Sequence, residues 1–240
     1  MYSKDNPESI KTMFDNIADS YDMVNNIISF GVHNRIKNDA LSLLTAKQYN
    51  RIIDLCSGTG DIAFRLMKKF PESYILATDF SSKMIDIMKN KLRKRNRNID
   101  DDNRFNIMVE KVDIMKLPYD HNIFDLATLF FGLRNLPDID KAIAGIYEIL
   151  KPDAELLIVE IVRTEDDDNV IIDYFDNYMP KLASMFSNDK EAYTYLSESR
   201  KNFLSHDEIM KTLRNHKFRI IKRHEYLKGI ISVNLARKFV

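Results

Sequence analysis

Apolar residues at Ile10, Met13, Phe14, Ile17 and Tyr21 recur every three or four positions and predict a helix over 8–22. A second helix is expected at about 34–46. From residue 51 the pattern changes to short apolar runs separated by helical periods. Strands are expected at 51–55, 74–78, near 105–112, 124–130 and 155–161, with helices at 60–69, 82–95 and 139–150. Strands alternating with helices in this way predict right-handed βαβ units on a mostly parallel sheet, an α/β fold. Residues 169–203 break the alternation: Ile171, Phe175, Tyr178, Leu182, Met185 and Phe186 keep a helical spacing, with aromatics and methionines dense among them. That segment reads equally as a core-packing helix and as an adaptable cap over an apolar pocket. Ser205-x-x-Glu208 is a capping box opening a helix to about 215. Two strands near 218–226 and 230–239, joined around Lys228-Gly229, then close the chain as a hairpin. One domain is expected: a helical extension (1–48), a ligand-binding core (49–161), an inserted cap (162–204) and a closing helix with hairpin (205–240).

The chemistry concentrates where the first strand ends. Ile52-Ile53-Asp54-Leu55-Cys56-Ser57-Gly58-Thr59-Gly60-Asp61 reads as a buried strand, a carboxylate and a glycine turn opening a helix. Such a turn offers backbone N–H groups to a ligand. Gly58-x-Gly60-x-x-Ala63 formally satisfies the dinucleotide fingerprint, but Asp54 would repel a pyrophosphate. The ammonium and sulfonium of S-adenosylmethionine tolerate or favour that charge. Asp79, at the end of the next apolar run, stands where a carboxylate can accept both hydroxyls of a ribose. Turn-forming for Asp54 and helix-capping for Asp79 are the plainer readings, which the strand–glycine–strand–acid order argues against.

Composition narrows the class. With 240 residues, 45% hydrophobic and 30% charged, the chain can bury a full α/β core. Lys+Arg and Asp+Glu balance at 36 each, against a dedicated nucleic-acid binder. The single cysteine, Cys56, forms no internal disulfide and suits a reducing compartment; it reads better as a packed strand-end side chain than as a nucleophile. No 18-residue apolar run exists and Met1–Pro7 lacks an apolar signal core, so a cytoplasmic protein, soluble or peripheral at the inner face of a membrane, is expected. The basic run Lys91–Arg97 followed by Asp100-Asp101-Asp102 reads as a helix end and solvated loop.

The residues resemble a known family. Phe14-Asp15-x-Ile17-Ala18-x-x-Tyr21-Asp22, Asn25 and Ser29-Phe30-Gly31-x-His33 are similar to the N-terminal signature of the ubiquinone and menaquinone biosynthesis C-methyltransferases. Asp54-x-x-x-Gly58-Thr59-Gly60-Asp61 resembles their cofactor loop, and Phe131-Gly132-Leu133-Arg134-Asn135-x-x-Asp138 is their most specific segment. Tyr195-Leu196-x-Glu198-Ser199 and Gly229-Ile230 extend the likeness to nearly the whole chain. The resemblance implies a class I, Rossmann-like methyltransferase fold with a seven-stranded sheet, helices on both faces and a C-terminal antiparallel hairpin. It implies S-adenosyl-L-methionine as cofactor and no metal. Lys151-Pro152-Asp153-Ala154 departs from the family's Lys-Pro-Gly-Gly, Phe130 stands where a small or hydroxyl residue is common, and residues 160–168 do not follow the usual pattern. The histidine that the family often carries near Asn234 is missing, so no catalytic role transfers from it.

The reaction implied is methyl transfer to a ring carbon of a reduced, polyprenyl-bearing quinone precursor. The expected cofactor contacts are Tyr21, Asp54, Ser57, Gly58, Thr59, Gly60, Asp79 with Phe80, Asp113 with Ile114, and Phe130. Asp113 would accept from the adenine amino group, while Tyr21 either closes over the cofactor or staples its helix to the core. Arg134 and Asn135 are the catalytic candidates. A guanidinium is a poor proton acceptor, so Arg134 would stabilise phenolate charge or orient a water, unless it pairs with Asp138 or Asp140 and serves only the fold. His33 receives no role. Between Arg200 and Lys238 stand 11 Lys/Arg against Asp207, Glu208 and Glu225, an excess that could hold an anionic lipid surface or be a solvated basic face. Homo-oligomerisation is left open, as is the choice between the menaquinone and ubiquinone pathways. Competing readings are a methyltransferase for another small molecule or macromolecule, a dinucleotide oxidoreductase, and a non-catalytic cofactor-binding subunit.

Overall fold

A computed structural model describes residues 2–96, 106–164, 170–187 and 189–239. Asp100–Asp102, Phe105 and residues 165–169, on which parts of the loop, strand and cap expectations fall, lie outside the described residues.

Seven strands form one sheet in the order β3-β2-β1-β4-β5-β7-β6. β1 (Arg51–Leu55), β2 (Tyr74–Asp79), β3 (Ile107–Lys111), β4 (Phe124–Phe130) and β5 (Leu150–Ile161) pair in parallel; β7 (Ile231–Lys238) runs antiparallel to both β5 and β6 (Phe218–Tyr226). The strands are near-continuous apolar runs because helices cover both faces. In β1, Ile52 enters one core cluster while Ile53 and Leu55 enter the other. The chain order reverses between β1 and β4, which opens a crevice at their carboxyl ends.

The helices before β1 are α1 (Pro7–Ile17), α2 (Tyr21–Ile28) and α3 (Val32–Ser42). The single helix expected over 8–22 is thus two, broken at Ala18–Ser20. Apolar spacing continues through the break because Met13 and Ile17 of α1 and Val24 and Ile28 of α2 share one cluster. Helix α3 ends sooner than the expected 46: Thr45 turns away to donate its N–H to Glu155, 3.3 Å distant. Between the strands lie α4 (Asp61–Lys69), α5 (Ser82–Asn96) and α6 (Ile139–Ile149). β5 begins directly after α6, five residues earlier than expected; Pro152 and Asp153 (φ 61°) sit in this early part, where the pairing with β4 shifts register.

The segment after β5 is helical as the spacing requires, but interrupted. α7 (Val170–Asp173) runs into one π-helical turn, Tyr174–Tyr178, before α8 (Met179–Ser184) and α9 (Lys190–Lys201). Pro180 lies in the first turn of α8 and cannot donate an N–H to the preceding turn, which accounts for the wider winding there. Met179, Ala183, Ala192 and Tyr193 pack onto α1 and α2. α10 (His206–Asn215) opens with the expected capping box, both bonds of it formed by Ser205 and Glu208. No described helix is long and apolar enough to cross a membrane.

Candidate active site

Three cavities meet at the carboxyl ends of β1, β2 and β4. The first, about 260 Å³, is lined by Asp54, Ser57, Gly58, Thr59, Lys91 and Phe130 among others. The second, about 260 Å³, is mainly apolar, with Ile36, Ile161, Phe175 and Met179 beside Arg134. The third, about 100 Å³, holds Asp79, Phe80, Asp113, Ile114 and Asn135. Tyr21 and Phe131 line all three, so their rings form the shared partition.

The glycine turn is built for close approach. Gly58 (φ 57°) would direct a Cβ into open space, whereas a Cβ on Gly60 (φ 91°) would fall 2.6 Å from Met88 Cγ. One glycine therefore faces the cavity and the other lets α4 pack. Asp54 is buried; it accepts from Thr128 Oγ1 at 2.5 Å and from the Ser57 hydroxyl. Burial pushes its carboxyl up to about 7 against the pull of those two hydroxyls. Asp79 accepts from the N–H groups of Gly58 and Ser81, each at 2.8 Å, and burial raises its carboxyl despite these bonds. Asp113 caps a short 3₁₀ turn, Ile114–Lys116, accepting from Met115 N at 2.8 Å. Burial drives the Cys56 thiol upward, away from the thiolate that a nucleophile needs.

Two carboxylates of the N-terminal helices, absent from the expected set, fasten those helices to the loops. Asp22 accepts from Thr59 Oγ1 at 2.5 Å and pairs with Lys91, which also donates to the Thr59 carbonyl at 3.2 Å. Asp15 accepts from Ser81 Oγ at 2.5 Å. Both lie in the N-terminal signature, where they carried no assigned role. Tyr21 is thereby held at the partition, in contact with the ring of Phe14.

Arg134 pairs with neither Asp138 nor Asp140. Asp138 caps α6, Asp140 meets His216 at 2.8 Å, and the Arg134 guanidinium instead pairs with Glu160 of β5. Glu160 is wholly buried and also accepts from Arg134 N at 3.1 Å and from Ile161 N at 2.8 Å. Arg134 Nη1 donates to the Phe131 carbonyl at 3.0 Å, while Nε is buried with no described partner. Asn135 also donates to the Phe131 carbonyl, at 3.3 Å, but lines the third cavity; its buried Oδ1 has no described partner. The adjacent pair thus separates across Phe131 (φ 59°), Arg134 toward the apolar cavity and Asn135 toward Asp79 and Asp113.

These residues suit S-adenosylmethionine. An acidic, glycine-lined cavity meets its cationic end, Gly58 leaves the backbone open, and the third cavity combines two carboxylates, the apolar Ile114 and the orphaned acceptor of Asn135. The sheet order and this crevice define a Rossmann-like methyltransferase fold. It is shared with a SAM-dependent methyltransferase from Aquifex aeolicus (TM-score 0.60, 18% identity, covering 84% of this chain and 88% of that one). The cyclase SpnF also shares the fold (TM-score 0.70, 16% identity, covering 98% and 97%). Residues 2–238 match the ubiE/COQ5 methyltransferase family, and the chain belongs to it. It is similar to a demethylmenaquinone methyltransferase of Chlamydia caviae, 33% identical over 236 residues and 97% of each chain. It is likewise similar to a ubiquinone/menaquinone biosynthesis C-methyltransferase, UbiE, of Rickettsia bellii, 32% identical over 234 residues and covering 95% of this chain and 92% of that one. The protein is an S-adenosylmethionine-dependent methyltransferase.

Proposed function

We propose that the enzyme methylates a ring carbon of a reduced quinone precursor bearing an isoprenoid tail, as the names of its relatives suggest for them. The observation that carries this reading is the apolar cavity of about 260 Å³ beside Arg134, which shares a wall of Tyr21, Asn25, His33, Lys37 and Phe131 with the acidic, glycine-lined cavity. A flat, electron-rich ring can stack at that partition while an apolar tail lies among Ile36, Ile161, Phe175 and Met179.

When bound, S-adenosylmethionine supplies an electrophilic methyl carbon. Asp54 and the turn from Ser57 to Gly60 hold its cationic end, Asp79 with Phe80 its ribose, and Asp113 with Ile114 its adenine. Asn135 Oδ1 offers that side a further acceptor. Tyr21 closes the partition, and Phe130 packs at the junction of the first and third cavities. Arg134 stabilises charge that develops on a ring oxygen, held in place by Glu160. Residues 170–187 and 189–201 form the cap that shields the apolar cavity from water.

Substrate access from a bilayer fits the mouth of this cavity. Phe30 and Val32 stand 77% and 41% exposed there, and Leu227 of the β6–β7 turn, followed by Lys228, lines the same cavity. The edge strand β6 adds Lys222 and Arg223, both exposed, for an anionic headgroup layer. The reading is tested by offering oxidised and reduced naphthoquinone acceptors with and without an apolar tail. Reduced, tailed acceptors are expected to give the highest kcat/KM; equal turnover of a small polar acceptor would contradict it.

A further inference from the structure

We propose that His33 is the proton acceptor for the ring hydroxyl of the methyl acceptor, an assignment that rests on the quinol reading above. His33 lines both the acidic cavity and the apolar cavity, and so stands at the junction where the two reactants would meet.

Hydrogen-bond accounting bears on its tautomer. Ser29 has one hydroxyl proton and donates it to the Asn25 carbonyl at 2.7 Å. His33 Nδ1 lies 2.5 Å from the same Ser29 oxygen. Both contacts are satisfied together when Nδ1 carries the hydrogen and donates it to the Ser29 oxygen, the tautomer this proposal takes. In that tautomer the free lone pair resides on Nε2, on a ring that lines both cavities.

The surroundings keep this lone pair unprotonated. Burial lowers the imidazole to about 4, and Lys37 of α3 and Arg65 of α4 push the same way, while Asp61 and Asp22 oppose them. The other candidates around the two cavities are committed elsewhere. Arg134 has no lone pair to offer and faces Glu160; Asp22 is held by Lys91, and Asp61 by Lys37 at 2.8 Å and Arg65 at 2.9 Å. Asp54 is occupied by two hydroxyls.

The step balances simply. The quinol O–H bond breaks heterolytically, the proton passes to Nε2, and the electron pair stays on oxygen and is shared with the ring carbon that attacks. When aromaticity returns, that carbon's proton leaves to water and the imidazolium gives its proton back to the oxygen. One proton is released per methyl transferred, and His33 ends neutral. A weak base suffices because the hydroxyl becomes a strong acid once its ring carries the positive charge of the incoming methyl. Arg134, which lines the same apolar cavity, then stabilises the partial negative charge of the ring carbonyl oxygen that results.

Two measurements on the full chain test the assignment. Nitrogen-15 NMR of the histidines at pH 7 should show His33 with hydrogen on Nδ1 and none on Nε2, unchanged down to about pH 5. A hydrogen on Nε2, or titration above pH 6, overturns it. In turnover with reduced naphthoquinol, His33→Asn should lose about 10²- to 10⁴-fold in kcat/KM at pH 7, with cofactor affinity retained. The residual rate should rise tenfold per pH unit where the wild type is flat. Ser29→Ala, which keeps the imidazole but frees its tautomer, should lose less than His33→Asn and keep the flat profile. His33→Asn within threefold of wild type, or with the wild-type pH profile, overturns the proposal alone. A wild type inert toward every reduced quinol overturns the underlying function as well.

Discussion

Removing the guanidinium of Arg134 has two consequences that must be separated. Glu160 is wholly buried and its described donors are Arg134 Nη1, Arg134 N and Ile161 N. Arg134→Met keeps the side-chain bulk and both backbone donors but leaves a carboxylate without its counter-charge. Breaking a buried pair from one side costs about 3–5 kcal/mol, which rivals the total stability of many domains. Glu160→Gln costs less, because an amide needs no counter-charge and its oxygen can keep a backbone N–H. The double variant Arg134→Met/Glu160→Gln buries no charge and should recover most of the loss, with a coupling energy of about 2 kcal/mol or more. Urea unfolding of the four proteins at pH 7.5 measures this directly. Additive effects, or a cost below about 1 kcal/mol for Arg134→Met, would refute the reasoning. The double variant then isolates the chemistry: folded and cofactor-binding yet slow, it would mark the guanidinium as stabilising the reacting oxygen.

Further outcomes follow from the site geometry. Because Asp54 titrates near 7 in the folded protein against about 4 unfolded, the native state binds the extra proton between these values. Stability of the ligand-free protein should therefore fall as pH rises through that window, by at most about 4 kcal/mol on this account. Asp54→Asn should flatten the trend in urea midpoints between pH 5 and 8, and wild-type affinity for the cationic cofactor should rise over pH 6–8 in calorimetry. Gly60→Ala places a Cβ 2.6 Å from Met88 Cγ at φ 91°, and should lower stability by about 1–3 kcal/mol in thermal unfolding. Asp153 holds φ 61° at an exposed position in the early part of β5, so Asp153→Gly should raise stability by about 0.5–1 kcal/mol in urea unfolding.

What was legible in the sequence is what is encoded locally. The strand, carboxylate and glycine turn around Asp54 follow one another along the chain, and Asp79 and Asp113 recur at the ends of the next two parallel strands. The crevice therefore follows once strands and helices alternate. The capping box at Ser205 and the departure at Asp153 from the family's glycine were local too. The partners of Arg134 were not. Phe130 registers with Val159, so the turn after β4 lies beside Glu160, but this emerges only from strand pairing. Apolar spacing also ran unbroken through the Ala18–Ser20 bend, since both helices serve one cluster. The roles of Asp15, Asp22 and His33 arise because α1–α3 fold back over the crevice, a contact across many residues that periodicity does not carry. Phe131 likewise gained its meaning only when three cavities were seen to share it.

The central claim is tested most directly by carbon-13 NMR of the product formed from S-adenosylmethionine labelled at the methyl carbon and a chemically reduced, isoprenoid-tailed naphthoquinol. The account predicts a single labelled methyl bonded to a ring carbon, formed by the wild type and lost in the stable Arg134→Met/Glu160→Gln variant. A label on a ring oxygen, or no product from tailed naphthoquinol and benzoquinol alike while the cofactor binds, would contradict it.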